Sequence, residues 1–443
     1  MEKKRVAFES LGCKLNYAET AQIEKEFRQR GFEVVDSSSA ADVFVINTCT
    51  VTQSADSDCR QIVRRALKSS PEAFVVVTGC YAQGKPQEVA QIGGVDLVLG
   101  AKEKFHLFDY ADSFEKPAPG RDTSEANYHG RVFVSPIGDA VEFGYADSAV
   151  EGRRTRAFLK VQDGCDYNCA YCTIPKVRGL SRSPSVEFVV DQSRRIAQAG
   201  YKEIVLSGVN VGDFGSREGI SFLDLLKALE QVDGIERFRI SSIEPNLLTK
   251  DIVKFVSSSG KFCKHFHIPL QNGADDVLRK MRRRYKASQY REVVDYVKEL
   301  MPDAGIGADV IVGFPGETNE IFEKSMSFIE SLPVTYLHVF SYSEREGTAS
   351  AGFGGNVDPR VKRKRSEILR MISTKKRYEF NRRFVGKVMK VLVEEEVKNG
   401  KMYGFTSNYV RVEVDSNPLH VNEITDVLIT GASDNTAVGQ VIL

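Results

Sequence analysis

Residues 157–172 read Ala157-Phe158-Leu159-Lys160-Val161-Gln162-Asp163-Gly164-Cys165-Asp166-Tyr167-Asn168-Cys169-Ala170-Tyr171-Cys172. A short strand-like run passes directly into three cysteines with C-x3-C-x2-C spacing. Three thiols on one loop can hold three corners of an iron–sulfur cube and leave the fourth iron free to bind something else. A closed zinc site wants four ligands, and no fourth Cys or His lies nearby. A thioredoxin-like pair made of Cys169 and Cys172 leaves Cys165 unexplained, and chance spacing in a reduced protein is the bland alternative. Position favours the cluster, because the ends of strands are where β/α barrels carry out chemistry.

Downstream, candidate strands recur at Glu203–Leu206, Arg237–Ser241, His265–Ile268, Ala308–Val312 and Tyr336–Phe340. Helical stretches such as Val186–Ala199, Phe222–Val232 and Glu317–Ser331 separate them. Six βα units predict an incomplete (β/α)6 barrel. Upstream, Val6–Ser10, Val43–Asn47, Phe74–Thr78 and Asp96–Gly100 alternate with the helix-length segments Tyr17–Arg30 and Ala55–Ser69. Runs that are apolar on both faces, separated by helices, predict a small parallel α/β sheet. The last 65 or so residues turn to short β runs at 388–393, 409–414 and 427–430, a small all-β appendage. The fold class is thus α/β in three parts. An N-terminal parallel α/β domain spans 1–117, a barrel 151–377 and a β-domain 378–443, with the turn-rich, polar stretch 118–150 as linker.

Composition sets limits. The chain has 443 residues, 42% apolar and 27% charged, ordinary for a globular protein. Lys and Arg number 61 against 60 acids, so any basic footprint is local. The strongest local candidate runs from Arg360 to Lys390, with 13 Lys or Arg against only Glu367 and Glu379. Eight cysteines are too sparse for a disulfide scaffold. The start lacks an apolar signal core, and no apolar run approaches the roughly 20 residues of a membrane span. The expectation is a soluble, cytoplasmic protein with no membrane association.

Three further cysteines share one setting. Cys13 follows Val6-Ala-Phe-Glu-Ser-Leu-Gly, Cys49 follows Val43-Phe-Val-Ile-Asn-Thr, and Cys80 follows Phe74-Val-Val-Val-Thr-Gly. Each stands just past a strand and before a helix, so in a parallel sheet the three converge on one edge, where ligand sites form. A single buried Cys is usually a small hydrophobe, but three in register point to a second cluster. Cys59 and Cys263 lack this setting and read as ordinary thiols. His265 and His267 read as strand residues near the barrel mouth rather than as ligands.

The C-x3-C-x-aromatic-C form, with Tyr171 in the aromatic place, resembles the radical S-adenosylmethionine (SAM) superfamily. The resemblance implies that SAM chelates the open iron and is cleaved to methionine and a 5'-deoxyadenosyl radical. Other strand ends are similar to that superfamily's SAM contacts. They are Gly208 and Asn210 in Ser207-Gly-Val-Asn210, Glu244 in Ser241-Ser-Ile-Glu244-Pro245, Gln271 in Pro269-Leu-Gln271, and Gly313 in the run 307–317.

Two three-Cys sets, such a barrel and a terminal β-domain together resemble the methylthiotransferase family over essentially the whole chain. The resemblance implies two [4Fe-4S] clusters, the barrel one on Cys165, Cys169 and Cys172 and an auxiliary one on Cys13, Cys49 and Cys80. It also implies an RNA-binding TRAM domain at the C-terminus, a tRNA substrate, an electron donor such as flavodoxin or ferredoxin, and a source of replacement sulfur. The motifs Gly12-Cys13-Lys14-Leu15-Asn16, Asn47-Thr-Cys49-Thr-Val-Thr52 and Gly79-Cys80-Tyr-Ala-Gln83 are most similar to the branch acting on tRNA N6-threonylcarbamoyladenosine. The family's other branches act on N6-isopentenyladenosine in tRNA or on an aspartate of ribosomal protein S12. The implied reaction replaces adenine C2–H with C2–SCH3, using two SAM. That carbon carries no acidic proton, so cofactor radical chemistry is required and no general acid or base is assigned. The alternative from another class is a non-catalytic iron–sulfur protein that binds RNA or senses redox state.

Overall fold

The structure is a computed structural model describing residues 3–50, 53–111, 113–116, 130–149 and 155–442. Val51 and Thr52 of the second cysteine motif, and 118–129 and 150 of the expected linker, lie outside the described residues.

The N-terminal sheet has six parallel strands: β1 (Arg5–Ser10), β2 (Glu33–Val35), β3 (Val43–Thr48), β4 (Phe74–Gly79), β5 (Leu97–Leu99) and β6 (Arg131–Phe133). They lie in the order β2-β1-β3-β4-β5-β6. The central strands β3 and β4 are buried along their whole length, which is why they read as unbroken apolar runs. Alternation then splits them between two cores. Phe44 and Ile46 pack with Ile62, Val63 and Ala66 on one face, while Val43 and Val45 pack with Ile23 and Phe27 on the other. Two strands depart from the sequence expectation. β2 and β6 have three residues each, too few to show a period. The second of these corrects the linker assignment: Arg131–Phe133 pairs in register with Leu97–Leu99, so part of 118–150 belongs to the sheet.

The barrel strands are β7 (Arg156–Lys160), β8 (Glu203–Ser207), β9 (Arg237–Ile240), β10 (His265–His267), β11 (Gly305–Val312) and β12 (Tyr336–Ser341). They form two parallel sheets, β7-β8-β9 and β10-β11-β12. Single bridges Phe238–Phe262 and Ser242–His267 connect the two across β9 and β10. Leu159, Leu206, Ile240, Val310 and Leu337 face the helices and build the main core. The alternate residues, among them Phe158, Arg239, His265, His267, Asp309 and His338, face the lumen. The helix Pro359–Arg382 lies along β12, where the Ser373 hydroxyl accepts from Leu337 N at 2.8 Å. This helix runs unbroken past position 378, and Phe380 in its last turn already packs into the β-domain core.

The β-domain is a closed five-stranded barrel of β13 (Val388–Lys398), β14 (Lys401–Thr406), β15 (Arg411–Asp415), β16 (Ile424–Ala432) and β17 (Ala437–Val441). It sits under the N-terminal ends of β8–β11. Arg237 donates to the carbonyls of Phe405 (3.0 Å) and Lys390 (2.9 Å), and Arg239 to those of Ser407 (3.0 Å) and Thr406 (3.1 Å). Glu203 holds Arg239 from behind at 2.7 Å. Among the described residues no helix is long and apolar enough to cross a membrane.

Candidate functional site

The cysteine loop leaves β7 through a constrained turn. Gly164 has φ 73°, and a Cβ there would lie 2.0 Å from the Leu180 carbonyl oxygen, so only glycine fits. Cys165 N donates to Gly179 O at 3.0 Å, Ala170 N to Met281 O at 3.0 Å and Cys172 N to Cys169 O at 3.1 Å, which wraps the three thiols on one short loop. Burial pushes the Cys165 and Cys172 thiols up to about 12. As free thiols they would stay protonated, so a ligand role requires a metal to displace the proton.

Arg283, which sequence reasoning missed, organises this loop. Its guanidinium donates to Cys169 Sγ at 3.1 Å, to Tyr285 OH at 3.1 Å and to the Glu244 carboxylate. Tyr171 OH lies 3.4 Å away. Asn210 Oδ1 in turn accepts from Glu244 N at 3.1 Å. Thus Tyr171, Asn210 and Glu244, expected from the sequence as SAM contacts, join one hydrogen-bonded chain with Cys169. Among the described residues, the buried Asn210 Nδ2 and Ser241 Oγ find no partner, which fits a polar ligand here. The other three expected SAM residues lie on neighbouring strand ends. Gly208 packs against Gln162, where a Cβ would approach Oε1 to 2.9 Å. Gln271, at φ 65°, donates through its backbone N to Asp309 O at 2.8 Å. Gly313 has φ 73° and a Cβ there would lie 2.4 Å from Lys362, so backbone conformation and helix packing both call for glycine.

The N-terminal thiols also converge. Pairing of Thr48 with Gly79 sets Cys49 beside Cys80. Cys13 stands at the N-terminus of the helix Lys14–Gln29, and Gly12 lies so close that a Cβ would be 2.8 Å from Cys49 Sγ. Asn16 ties the two loops by donating to Leu11 O at 2.7 Å and Thr48 O at 2.8 Å. Its Oδ1 accepts from Arg178 at 2.5 Å, and Arg178 acts electrostatically on both Cys80 and Cys13. A cation beside three thiols suits a thiolate donor set. Arg178 follows the barrel cysteine loop, whose helix Ile174–Val177 packs on the helix Cys80–Gly84, with Val177 Cγ1 3.0 Å from where a Gly84 Cβ would lie. The two cysteine sites are therefore neighbours. Cys59 sits apart in an apolar core with Phe44 and Val63, and burial pushes its thiol up to about 12. Cys263 is likewise buried, at the base of the barrel. Cys59→Ala and Cys263→Ala are accordingly expected to leave the iron content of reconstituted protein at the parent value, measured by colorimetric iron assay.

A cavity of about 300 Å³ connects the N-terminal site to the lumen. Cys13, Lys14 and Tyr17 line one side, and Arg156, Phe158, Val205, Arg239 and Tyr409 the other. Tyr17 meets Phe158 edge to face at 5.7 Å. The histidines divide. His265 stacks on Tyr409 at 4.4 Å, and burial pushes it well below its ordinary range, hence neutral. His267 bonds Asp309 at 2.9 Å, and His338 reaches the same carboxylate oxygen at 3.2 Å. This His–Asp–His group spans three strands, and no local spacing signals it.

Comparison with known proteins gives three matches along the chain. Residues 5–100 match the uncharacterized protein family UPF0004, 159–329 the radical SAM superfamily and 382–442 the TRAM domain. The threonylcarbamoyladenosine tRNA methylthiotransferase MtaB of Bacillus subtilis is 38% identical, over 96% of this chain and 94% of its own length. The MtaB of Aquifex aeolicus is 38% identical over 92% and 96%. The tRNA-2-methylthio-N(6)-dimethylallyladenosine synthase of Methylacidiphilum infernorum is 31% identical over 98% and 94%. Among solved structures, the radical SAM methyltransferase TsrM of Kitasatospora setae, with cobalamin and a [4Fe-4S] cluster bound, shares the fold at TM-score 0.55 and 15% identity. That match covers 77% of this chain and 75% of the other.

Proposed function

Because the chain belongs to the radical SAM tRNA methylthiotransferase family, we propose that it methylthiolates C2 of N6-threonylcarbamoyladenosine in tRNA. The observation that carries this reading is the closeness of two three-thiol loops, joined where the helix Ile174–Val177 packs on the helix Cys80–Gly84, with Cys13 lining a cavity beside Phe158 and Val205. Cys165, Cys169 and Cys172 would hold the barrel [4Fe-4S] cluster, and Cys13, Cys49 and Cys80 a second one. When bound, the clusters and SAM supply the radical and the sulfur chemistry that an unactivated ring carbon requires.

The chain's own residues position and enclose. Arg283 braces Cys169 and fixes the Glu244 carboxylate, and Asn210 fixes the Glu244 backbone. Ser241 Oγ and Asn210 Nδ2 stand ready as polar partners for SAM. Phe158, Val205 and Tyr17 present an apolar wall for a base. Burial raises the Asp309 carboxyl, but His267 and His338 outweigh it and hold it ionised below the ordinary range. The test is mass spectrometry of tRNA nucleosides from cells lacking the gene. Loss of the 2-methylthio form of threonylcarbamoyladenosine supports the reading, and loss of only the isopentenyl derivative overturns it.

The tRNA footprint we propose is the exposed face of the helix Pro359–Arg382. Here the structure corrects one residue of the basic strip. Arg365 is buried and bonded to Glu317 at 2.7 Å and to Asn319 at 2.8 Å, so it is unavailable to phosphate. Arg360, Arg363, Lys364 and Arg370 are exposed. Reversing Arg360, Arg363 and Lys364 to Glu should weaken tRNA binding and lower the slope of log Kd against log salt by about 0.9 for each phosphate no longer neutralised. An unchanged slope would mark the strip as a solvated face.

A further inference from the structure

We propose that Lys14 reads the substituent on the substrate base by pairing with the carboxylate that a threonylcarbamoyl group carries. The assignment rests on the substrate reading above and deepens it.

Lys14 is the first residue of the helix Lys14–Gln29, directly after Cys13, and both line the cavity facing Phe158 and Arg239. Among the described residues, no carboxylate stands within ion-pair distance of it. The other charges around this cavity are already matched. Arg239 is held by Glu203 at 2.7 Å and 3.2 Å, and Arg156 by Glu394 at 2.9 Å. Asp309, the acid on the facing strand, is held by His267 and His338. Lys14 alone among these cations has no acid beside it, with Tyr409 the countergroup that acts on it. An exposed ammonium with no acid beside it, on a cavity that Arg156 and Arg239 also line, favours a ligand that brings negative charge.

Covalent chemistry says which part of the ligand that is. On adenine, C2 and the N6 substituent flank N1 on the same edge of the ring. A base that turns C2 toward Cys13 therefore brings its N6 substituent to the neighbours of Cys13. A threonylcarbamoyl group is threonine linked through its amine, so its carboxylate is free. An isopentenyl group offers no charge and would leave the ammonium unmatched, so the same lysine that accepts one substrate disfavours the other.

The test uses full-length reconstituted protein and three anticodon stem-loop RNAs. One carries threonylcarbamoyladenosine, one the same base with the carboxylate converted to the primary amide, and one isopentenyladenosine. Binding is read by fluorescence anisotropy, and kcat/KM for the methylthio product is read alongside. The parent should prefer the acid over the amide by about 10- to 100-fold in both, the range for a hydrogen bond between charged groups. Lys14→Gln should lose that preference, and Lys14→Arg should retain most of it. A parent that takes acid and amide equally well overturns the role of Lys14 while leaving the substrate reading standing, and this arm needs no variant to fold. A Lys14→Gln protein that keeps the preference also overturns it. A parent that binds and converts only the isopentenyl RNA overturns the substrate reading and this assignment with it.

Discussion

With Cys165, Cys169 and Cys172 all replaced by alanine, anaerobically reconstituted protein should hold half of the parent's iron, about four of eight, and form no 5'-deoxyadenosine. The loop that carries them is fixed by Gly164 and by Arg283 and has no fourth thiol to substitute. Replacing Cys13, Cys49 and Cys80 should also halve the iron, yet leave measurable 5'-deoxyadenosine and no methylthio product. The two triples separate because each set of thiols sits on its own domain. Iron content unchanged by the second triple would refute an auxiliary cluster there.

Glu19→Gln should destabilise the protein by about 3–5 kcal/mol, the usual effect of removing one partner from a buried ionic group. That is a large share of a total stability of about 5–15 kcal/mol. The Glu19 carboxylate is fully buried between Lys104 at 2.6 Å, Arg178 at 3.1 Å and Lys160 at 3.2 Å. Among the described residues, Asp163 is the only other acid paired with these cations, at 2.9 Å from Arg178 and 3.1 Å from Lys160. Gln in place of Glu19 leaves three buried cations facing one carboxylate. Burial by itself would raise the Glu19 carboxyl, but the three cations outweigh it and hold it well below the ordinary range. Its contribution is thus full above the unfolded value of about 4.3 and lost as pH falls toward the folded value. Urea melts of parent and variant should therefore differ most near neutrality and converge in acid. A constant difference from pH 7 to pH 3 would contradict the role of ionised Glu19.

What the sequence revealed and what it hid follow one physical rule. The convergence of Cys13, Cys49 and Cys80 was legible because each lies at a strand end, and the strands β3 and β4 are buried enough to read as apolar runs. Arg283 was not legible, because it stands in the run Arg282-Arg283-Arg284, where nothing in composition says which side chain turns inward. The backbone decides it. Arg282 adopts φ 58° at the end of the helix Asp275–Lys280, with Arg282 N donating to Arg279 O and Arg283 N to Leu278 O. This is a Schellman turn with arginine in the place glycine usually fills, and it swings Arg283 toward Cys169. The His267–Asp309–His338 group was hidden for a related reason: its members come from three strands, and only the barrel brings them together. Arg365 misled in the opposite direction, since a basic run on a helix spreads around its whole circumference, and here one member turns inward to Glu317.

The joint between barrel and β-domain tolerates substitution on one side far better than on the other. Arg237 and Arg239 grip the carbonyls of Lys390, Phe405, Thr406 and Ser407, atoms that any amino acid supplies. These bonds are indifferent to side-chain identity, and Ser407 Oγ, which accepts from Lys264 N at 3.0 Å, and the Phe405 ring under Arg156 add to them. Arg237 and Arg239 thereby seat the β-domain under the barrel through its backbone, independently of the side chains it turns outward.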